Sequence, residues 1–441
     1  MLRVNREKCI LRNLQVSMTQ YPLHFDWSMD TTQIKHYVLL RLKGVLKSPE
    51  KNLKYPFIVP GTGYMSELWS WDAYWEALSI KRAFELFGEE EMTHAGISKK
   101  TAVEHICGCV HNILDAQEED GFIPTMVTSE GLFKGFFHDE HEKGTPLNQC
   151  LPFLCQFAML AGEFSGNYGF DAEKLIKYMR YFETHQYDGN SGLYFWQDDI
   201  MIGIDNNPTV FYRSHRSSAD VYLNSFIYLE YVSLAEILEK RNDKRAAEMR
   251  VKAEKLKVAI NTEMWDERDG IYYSQDINFH KTERTVKGVA FHSGLAPNWK
   301  TMPLKIRFWG CFLPMYAGIC DEERAQRMCA HLTENDDVFA AYGIRTLAKN
   351  EKMYSLVKST GNPSNWLGAV WTIANYCVYK GLVRYGKDQH AERLKYATFC
   401  LLNKNLNKSG AFYESYHPDT GEPFMHPDFL SLNLPVIDML K

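Results

Sequence analysis

The sequence predicts an all-α fold, an (α/α)6 barrel in which six helical hairpins form a toroid with small β-hairpins on one rim. Three observations carry this. Two kinds of helical segment alternate along the 441 residues, one apolar nearly all round and one with a single apolar stripe and a charged face. A turn of constant character, an acidic or glycine turn followed by an aromatic extended stretch, recurs every 67 to 78 residues, counted from Gly121 through Gly192, Gly270 and Gly343 to Gly410. No Ser-, Gly- or Pro-rich linker or low-complexity tract interrupts the chain. Length alone suggests about three domains, but this continuity predicts one domain over residues 1–441.

The elements follow in order. The striped segments, Thr31 to Leu46, Lys99 to Gln117, Asp171 to Thr184, Asp243 to Met264, Asp321 to Leu332 and Asp388 to Asn403, are expected as outer helices facing solvent on one side. The uniformly apolar segments, Trp71 to Leu86, Gln149 to Phe164, Ser218 to Leu238, Lys305 to Ile319, Ser364 to Tyr385 and the tail from Phe429, are expected as inner helices covered on both sides. The turns beginning at Asp120, Asp188, Asp266, Asp336 and Lys408 all fall in outer-to-inner connections, whereas the inner-to-outer connections near Asn242 and Gly386 are short. Alternation therefore gathers the elaborated turns and the N-termini of the inner helices on one rim, and predicts the functional site there.

Composition narrows the function. With 50 Lys plus Arg against 55 Asp plus Glu the net charge is -5, which offers no basic field for nucleic acid or an anionic bilayer. No stretch reaches the roughly 20 apolar residues of a membrane span, and the charged N-terminus has no apolar segment behind it, so a cytoplasmic protein is expected. The ten cysteines lie irregularly in apolar helical runs and read as buried reduced thiols. Cys107 and Cys109 lack zinc spacing. The run HDEH, with His138 and His141, reads as a solvated polar loop, so neither a metal nor another cofactor is expected. Aromatic residues make up 14% of the chain, a surplus of the kind that lines sugar pockets.

Four rim segments combine carboxylates and amides with tryptophan and tyrosine: GYMSELWSWDAYW from Gly63, IGIDNNP from Ile202, NWLGAVWTIANY from Asn365 and FYESYHPDTGEP from Phe412. This mixture holds a sugar by hydroxyl hydrogen bonds and ring stacking. Cleaving a glycoside needs two carboxyl groups, one protonating the leaving oxygen and one acting on the opposite face of the anomeric carbon. Asp205 and Glu414 are that pair. Asp205 precedes Asn206, Asn207 and Pro208 in a rigid turn and is assigned as the acid, with a raised pKa. Glu414, between aromatic neighbours on an extended segment, is assigned as the general base and expected to stay ionised.

In these segments the sequence resembles glycoside hydrolase family 63 and, more distantly, the trehalases of family 37, from about Tyr64 to Leu434. The family's acid motif is met by Asp205 and Pro208, with Ile202 and Asn207 standing where it has serine. Its base motif is met by Tyr413, Glu414, Tyr416, Pro418, Thr420 and Gly421. Its tryptophan-rich motif is met by Trp366, Gly368, Val370 and Trp371, with Ala369 in place of proline, and its Trp-Asp pair by Trp71 and Asp72. The resemblance implies an (α/α)6 barrel and hydrolysis of a small α-linked sugar with inversion. It also implies a sugar site at Trp71, Asp72, Trp366, Gly368, Trp371 and Asn375, to which the sequence reading adds Tyr64, Trp69 and Gln149, with Tyr222 assisting at the aglycone. Without the β-rich domain of larger processing glucosidases in these segments, the expected substrate is glucosylglycerate or mannosylglycerate. A glycerate carboxylate favours a bidentate arginine, for which Arg216, ahead of Arg213, is the candidate. A trehalase-like or oligosaccharide α-glucosidase, a sugar 2-epimerase and a non-catalytic sugar-binding protein remain as alternatives, and glucose and mannose are not distinguished.

Overall fold

The computed structural model describes residues 29–61, 63, 67–128, 139–140, 143–144, 146–278, 284–291, 299–332, 337–357 and 364–440. The striped segments form α1 (Thr32–Leu42), α3 (Lys99–Asp115), α5 (Ala172–His185), α7 (Ala246–Ala259, continued by a π turn at Ile260–Met264), α9 (Glu322–Ala330) and α11 (Asp388–Ser409). Their starts follow from capping: the Ser98, Asp171 and Asp321 side chains accept backbone N–H bonds from the first turns of α3, α5 and α9. In α5 the buried set includes Leu175, Tyr178, Met179 and Phe182, the i, i+3, i+4, i+7 stripe of a half-covered helix.

The apolar segments form α2 (Ser70–His94), α4 (Leu154–Ser165), α6 (Val221–Lys240), α8 (Leu313–Ala317, preceded by a 3₁₀ turn at Trp309–Phe312) and α10 (Thr372–Arg384), followed by a closing 3₁₀ segment at Leu434–Leu440. Burial runs all round them, from Val221 to Tyr228 without interruption in α6. They neighbour one another in sequence order, α2 on α4, α4 on α6, α6 on α8 and α8 on α10. The closing segment touches both α10 and α2. The striped helices lie against them, α3 on α2 and α4, α7 on α6, and α11 on α10.

Several inner segments are shorter than the apolar run predicts. Pro314 near its start and Gly318 in the left-handed conformation at its end confine α8 to one turn and a half. The run Ser364 to Trp371 stays extended because Gly368 sits at φ +136°, outside the helical region, with the Tyr354 ring 2.3 Å from the place a Cβ would take. Gln149 to Phe153 likewise precedes its helix.

Two-stranded antiparallel pairs occupy the recurring turns: Tyr187–Asp188 with Leu193–Tyr194, Trp265–Asp266 with Ile271–Tyr272, Phe339–Ala340 with Gly343–Ile344, and Tyr413–Tyr416 with Pro423–Pro427. Each follows a striped helix. The described cysteines are free, all but half-buried Cys107 being buried. Among the described residues no helix is long and apolar enough to cross a membrane. His138 and His141 lie outside the described residues.

Candidate active site

A cavity of about 430 Å³ opens where the apolar helices begin, lined by Trp69, Trp71, Asp72, Asp205, Trp366, Trp371 and Glu414 among others. Residues far apart in sequence meet here because each rim segment is tied to the next. The strand Glu67–Trp69 pairs with Met126–Thr128 and runs straight into α2, which places Trp69, Trp71 and Asp72 at the cavity wall. Asp205 lies in the turn after Gly203, whose φ of +80° and closeness to Leu151, 3.0 Å from a would-be Cβ, require glycine. The Asn207 amide behind it donates to Asp220 Oδ2 at 2.7 Å. On the other side, Asn206 Oδ1 accepts the Trp366 backbone N–H at 2.8 Å.

Glu414 is aimed by its strand. The pairing of Tyr413–Tyr416 with Pro423–Pro427 shifts register between Tyr413 and Ser415, an irregularity centred on Glu414 that turns its side chain. Tyr416 exchanges backbone hydrogen bonds of 2.8 and 2.9 Å with Val370, locking this strand to the tryptophan segment. There Trp366 and Trp371 stack with centroids 4.0 Å apart and planes 10° from parallel, and Trp366 also meets Trp71 at 6.3 Å. The result is an aromatic wall beside carboxyl groups.

Electrostatics at the cavity are those of crowded acids. Asp72, 5% exposed, accepts a 2.6 Å bond from the Ser431 hydroxyl, yet burial, with the charge of Asp205 adding to it, pushes its carboxyl up to about 7. Glu414 is 8% exposed, and its Oε2 has no hydrogen-bond partner among the described residues. Burial, then the charges of Asp205 and Asp72, push it up to about 8. This shift runs against the expectation that Glu414 stays ionised. Near neutral pH it holds a proton, because the aromatic wall removes water and two other acids stand close.

The remaining sequence candidates divide. Gln149 is fully buried and committed to backbone: its Oε1 accepts from Ile123 N–H at 2.7 Å and its amide donates to Gly121 O at 2.9 Å, so it braces the rim instead of meeting ligand. Asn375 is used in the same way, accepting from Ile344 N–H at 2.7 Å and donating to Thr398 at 2.9 Å. Gly368 serves close packing against Tyr354. Tyr222 is fully buried beneath the wall, 6.4 Å from Trp71, with its hydroxyl unpartnered among the described residues. Arg216 is exposed and lies 5.3 Å over the Phe195 ring, while Arg213 pairs with Asp276. Neither arginine lines the cavity: after the buried Val210 the chain runs along the surface, exposed at Tyr212 and from Ser214 to Arg216, before Ser218 pairs with Asp276. Tyr64 lies outside the described residues.

Sequence reasoning missed other lining residues, including Met201, Met425 and His426. Met201 and Met425 hold positive φ angles of 57° and 61°, strained for residues with a Cβ. Glycine or asparagine would have marked such turns; methionine gives no signal.

Residues 109–430 match the model of a family described as the mannosylglycerate hydrolase MGH1-like glycoside hydrolase domain. A mannosylglycerate hydrolase of Rubrobacter radiotolerans is 26% identical over 216 residues, 46% of this chain and 39% of that protein. The chain spans well under half the length of the first curated relatives it matches. The GH63 mannosylglycerate hydrolase from Thermus thermophilus, solved in complex with glucose, superposes with a TM-score of 0.64 at 18% identity, covering 92% of this chain and 99% of that one. A neutral trehalase from Saccharomyces cerevisiae superposes with a TM-score of 0.54 at 15% identity, covering 87% and 73%. These two likenesses show a shared, mostly helical fold with small sheets.

Proposed function

We propose that this chain, which belongs to the mannosylglycerate hydrolase MGH1-like glycoside hydrolase family, hydrolyses a small α-mannoside or α-glucoside with inversion, using Asp205 and Glu414. The observation that carries the proposal is the meeting of these two carboxyls, 209 residues apart in sequence (414 − 205), in one aromatic-walled cavity. In an inverting reaction one carboxyl protonates the leaving oxygen while the other draws a proton from water attacking the opposite face, and such pairs stand ~6.5–9.5 Å apart. Asp205 is assigned as the acid and Glu414 as the base. Trp69, Trp71, Asp72, Trp366 and Trp371 hold the sugar ring. Glycosylglycerates are the favoured substrates, supported by the names of the relatives. The neighbour order of the apolar segments supports the six-hairpin barrel as a single domain, and a cytoplasmic location accords with the free buried thiols.

A second reading exchanges the two roles. Burial and two neighbouring acids push Glu414 up to about 8, and a carboxyl held protonated near neutrality suits a general acid. A substrate whose leaving group needs no proton separates the readings, since it bypasses the acid alone.

The test of the proposal is hexose release from mannosylglycerate, glucosylglycerate, trehalose and short α-glucosides, with the anomer followed by proton NMR. Release of the β-anomer from at least one of them is expected. Release of the α-anomer from mannosylglycerate or glucosylglycerate, whose aglycone has no anomeric centre, would overturn inversion, and failure on the whole panel would overturn the substrate class. A sugar 2-epimerase would convert free hexose in the same assay.

A further inference from the structure

The same helices that begin at the carboxylates line a second cavity, open to solvent at Val383 and Arg384 and of about 460 Å³, farther along their length. Arg82 stands ten residues beyond Asp72 on α2, about 15 Å at 1.5 Å per residue. Lys380 and Arg384 lie roughly 14 and 20 Å beyond Trp371 on α10 by the same measure. Between the two cavities stands Trp75, its ring 5.5 Å from Phe153, 6.4 Å from Phe226 and 6.0 Å from Tyr376. A ligand in the second cavity is therefore separated from the hydrolytic carboxyls by packed rings.

Three cations line this cavity, Arg82, Lys380 and Arg384. Two of them are fixed by one buried acid: Asp438 Oδ1 lies 3.2 Å from Arg82 Nε and Oδ2 lies 2.7 Å from Lys380 Nζ. Arg82 also meets Glu85 at 2.7 Å. Arg384 makes no ion pair among the described residues. Its guanidinium rests against Gly318, with Nη1 2.8 Å from the point a Cβ there would occupy, so glycine gives it room. Tyr74, Tyr316 and Tyr376 complete the wall, with the Tyr376 hydroxyl donating to Asp438 at 3.2 Å.

We propose that this cavity is a binding site for a phosphate monoester of a small sugar. Arg384 supplies the planar fork that grips two phosphate oxygens, while Lys380, paired with Asp438, stands beside it as a hydrogen-bond donor. The tyrosines offer the polar and aromatic surface a sugar takes, and the volume lies within the range of small-ligand sites. The site is distinct from the hydrolytic one and does not depend on the reaction assigned there.

The experiment is calorimetric titration of the full chain with glucose 6-phosphate and with inorganic phosphate at constant ionic strength. Saturable binding of glucose 6-phosphate, and weaker binding of phosphate, is expected. Arg384→Gln should weaken both by at least about tenfold, the loss of one charge-assisted bidentate contact, while leaving hexose release unchanged. Val383 is 42% exposed at the same cavity, so Val383→Glu places a like charge there without disturbing the core, and it should weaken binding too. No saturable binding of either ligand to the wild type would overturn the site. So would affinities unchanged in both variants.

Discussion

Glu414 and Glu230 are both buried glutamates with raised pKa values, about 8 and about 7, yet the chain treats them oppositely. Glu230, on α6, accepts the backbone N–H of Cys155 at 2.7 Å and of Gln156 at 3.0 Å, together with the Gln156 amide at 3.1 Å. It holds the N-terminus of α4, where orphan N–H groups and the helix dipole favour an acceptor. Asp220 does similar work at the start of α6, taking bonds from Trp196, Asn207 and Ser274. Glu414 leaves Oε2 without a partner among the described residues and faces a cavity. Burial and charge alone do not distinguish a structural acid from a chemical one; the direction in which the lone pairs are committed does.

The largest expected effects fall on the cavity side. Asp205→Asn and Glu414→Gln should each lower kcat by about 10²–10⁴-fold, the range for positioned acid–base groups, with an unaltered circular dichroism spectrum. On the structural side, Glu230→Ala should leave the Cys155 and Gln156 N–H groups unpaired and cost about 3 kcal/mol of stability, read by urea denaturation, with little change in KM. A variant of Glu230 that lost turnover at full stability would break the contrast.

Protonation gives an intermediate effect. The folded pKa values of Glu414 and Glu230 lie above the ordinary glutamate value of 4.5, so the folded state binds more protons than the unfolded chain in between. Their contribution to stability is complete below pH 4.5 and is lost as pH rises through about 7 to 8. Tm should fall across that window, and less steeply in Glu414→Gln. For activity, kcat/KM should decline on the alkaline side near pH 8, because the last proton shared by the cavity carboxyls leaves there, whichever oxygen carries it.

The alternation of striped and uniformly apolar helices was legible because hydrophobic periodicity reports how many sides of a helix are covered. The cavity tryptophans, Asp72 and both catalytic candidates were legible through their motifs. Asn375 and Gln149 were misassigned because a buried amide in a motif looks the same whether it bonds to a sugar or to the backbone. Arg216 failed for another reason: nearness to Asp205 in sequence does not survive a chain that reaches the surface after Val210. The raised pKa of Glu414 could not be read at all, since burial in the folded cavity causes most of it and the convergence of Asp205 and Asp72 in space adds the rest.

The smallest effect expected is that of Arg216→Ala. An exposed cation over Phe195 contributes about 0.5–1 kcal/mol at most, so kcat and KM for glycosylglycerates should match the wild type. A selective rise in KM for substrates with a carboxylate would restore it as an aglycone contact.

The pairing of Asp205 with Glu414 is tested most directly by hydrolysis of an α-glycosyl fluoride, whose leaving group departs without a proton, by the two amide variants side by side. With Asp205 as acid and Glu414 as base, Asp205→Asn regains turnover on the fluoride while Glu414→Gln does not; the reverse pattern would exchange the roles. Wild-type turnover of both the fluoride and the natural glycoside in either variant would contradict catalysis by this pair.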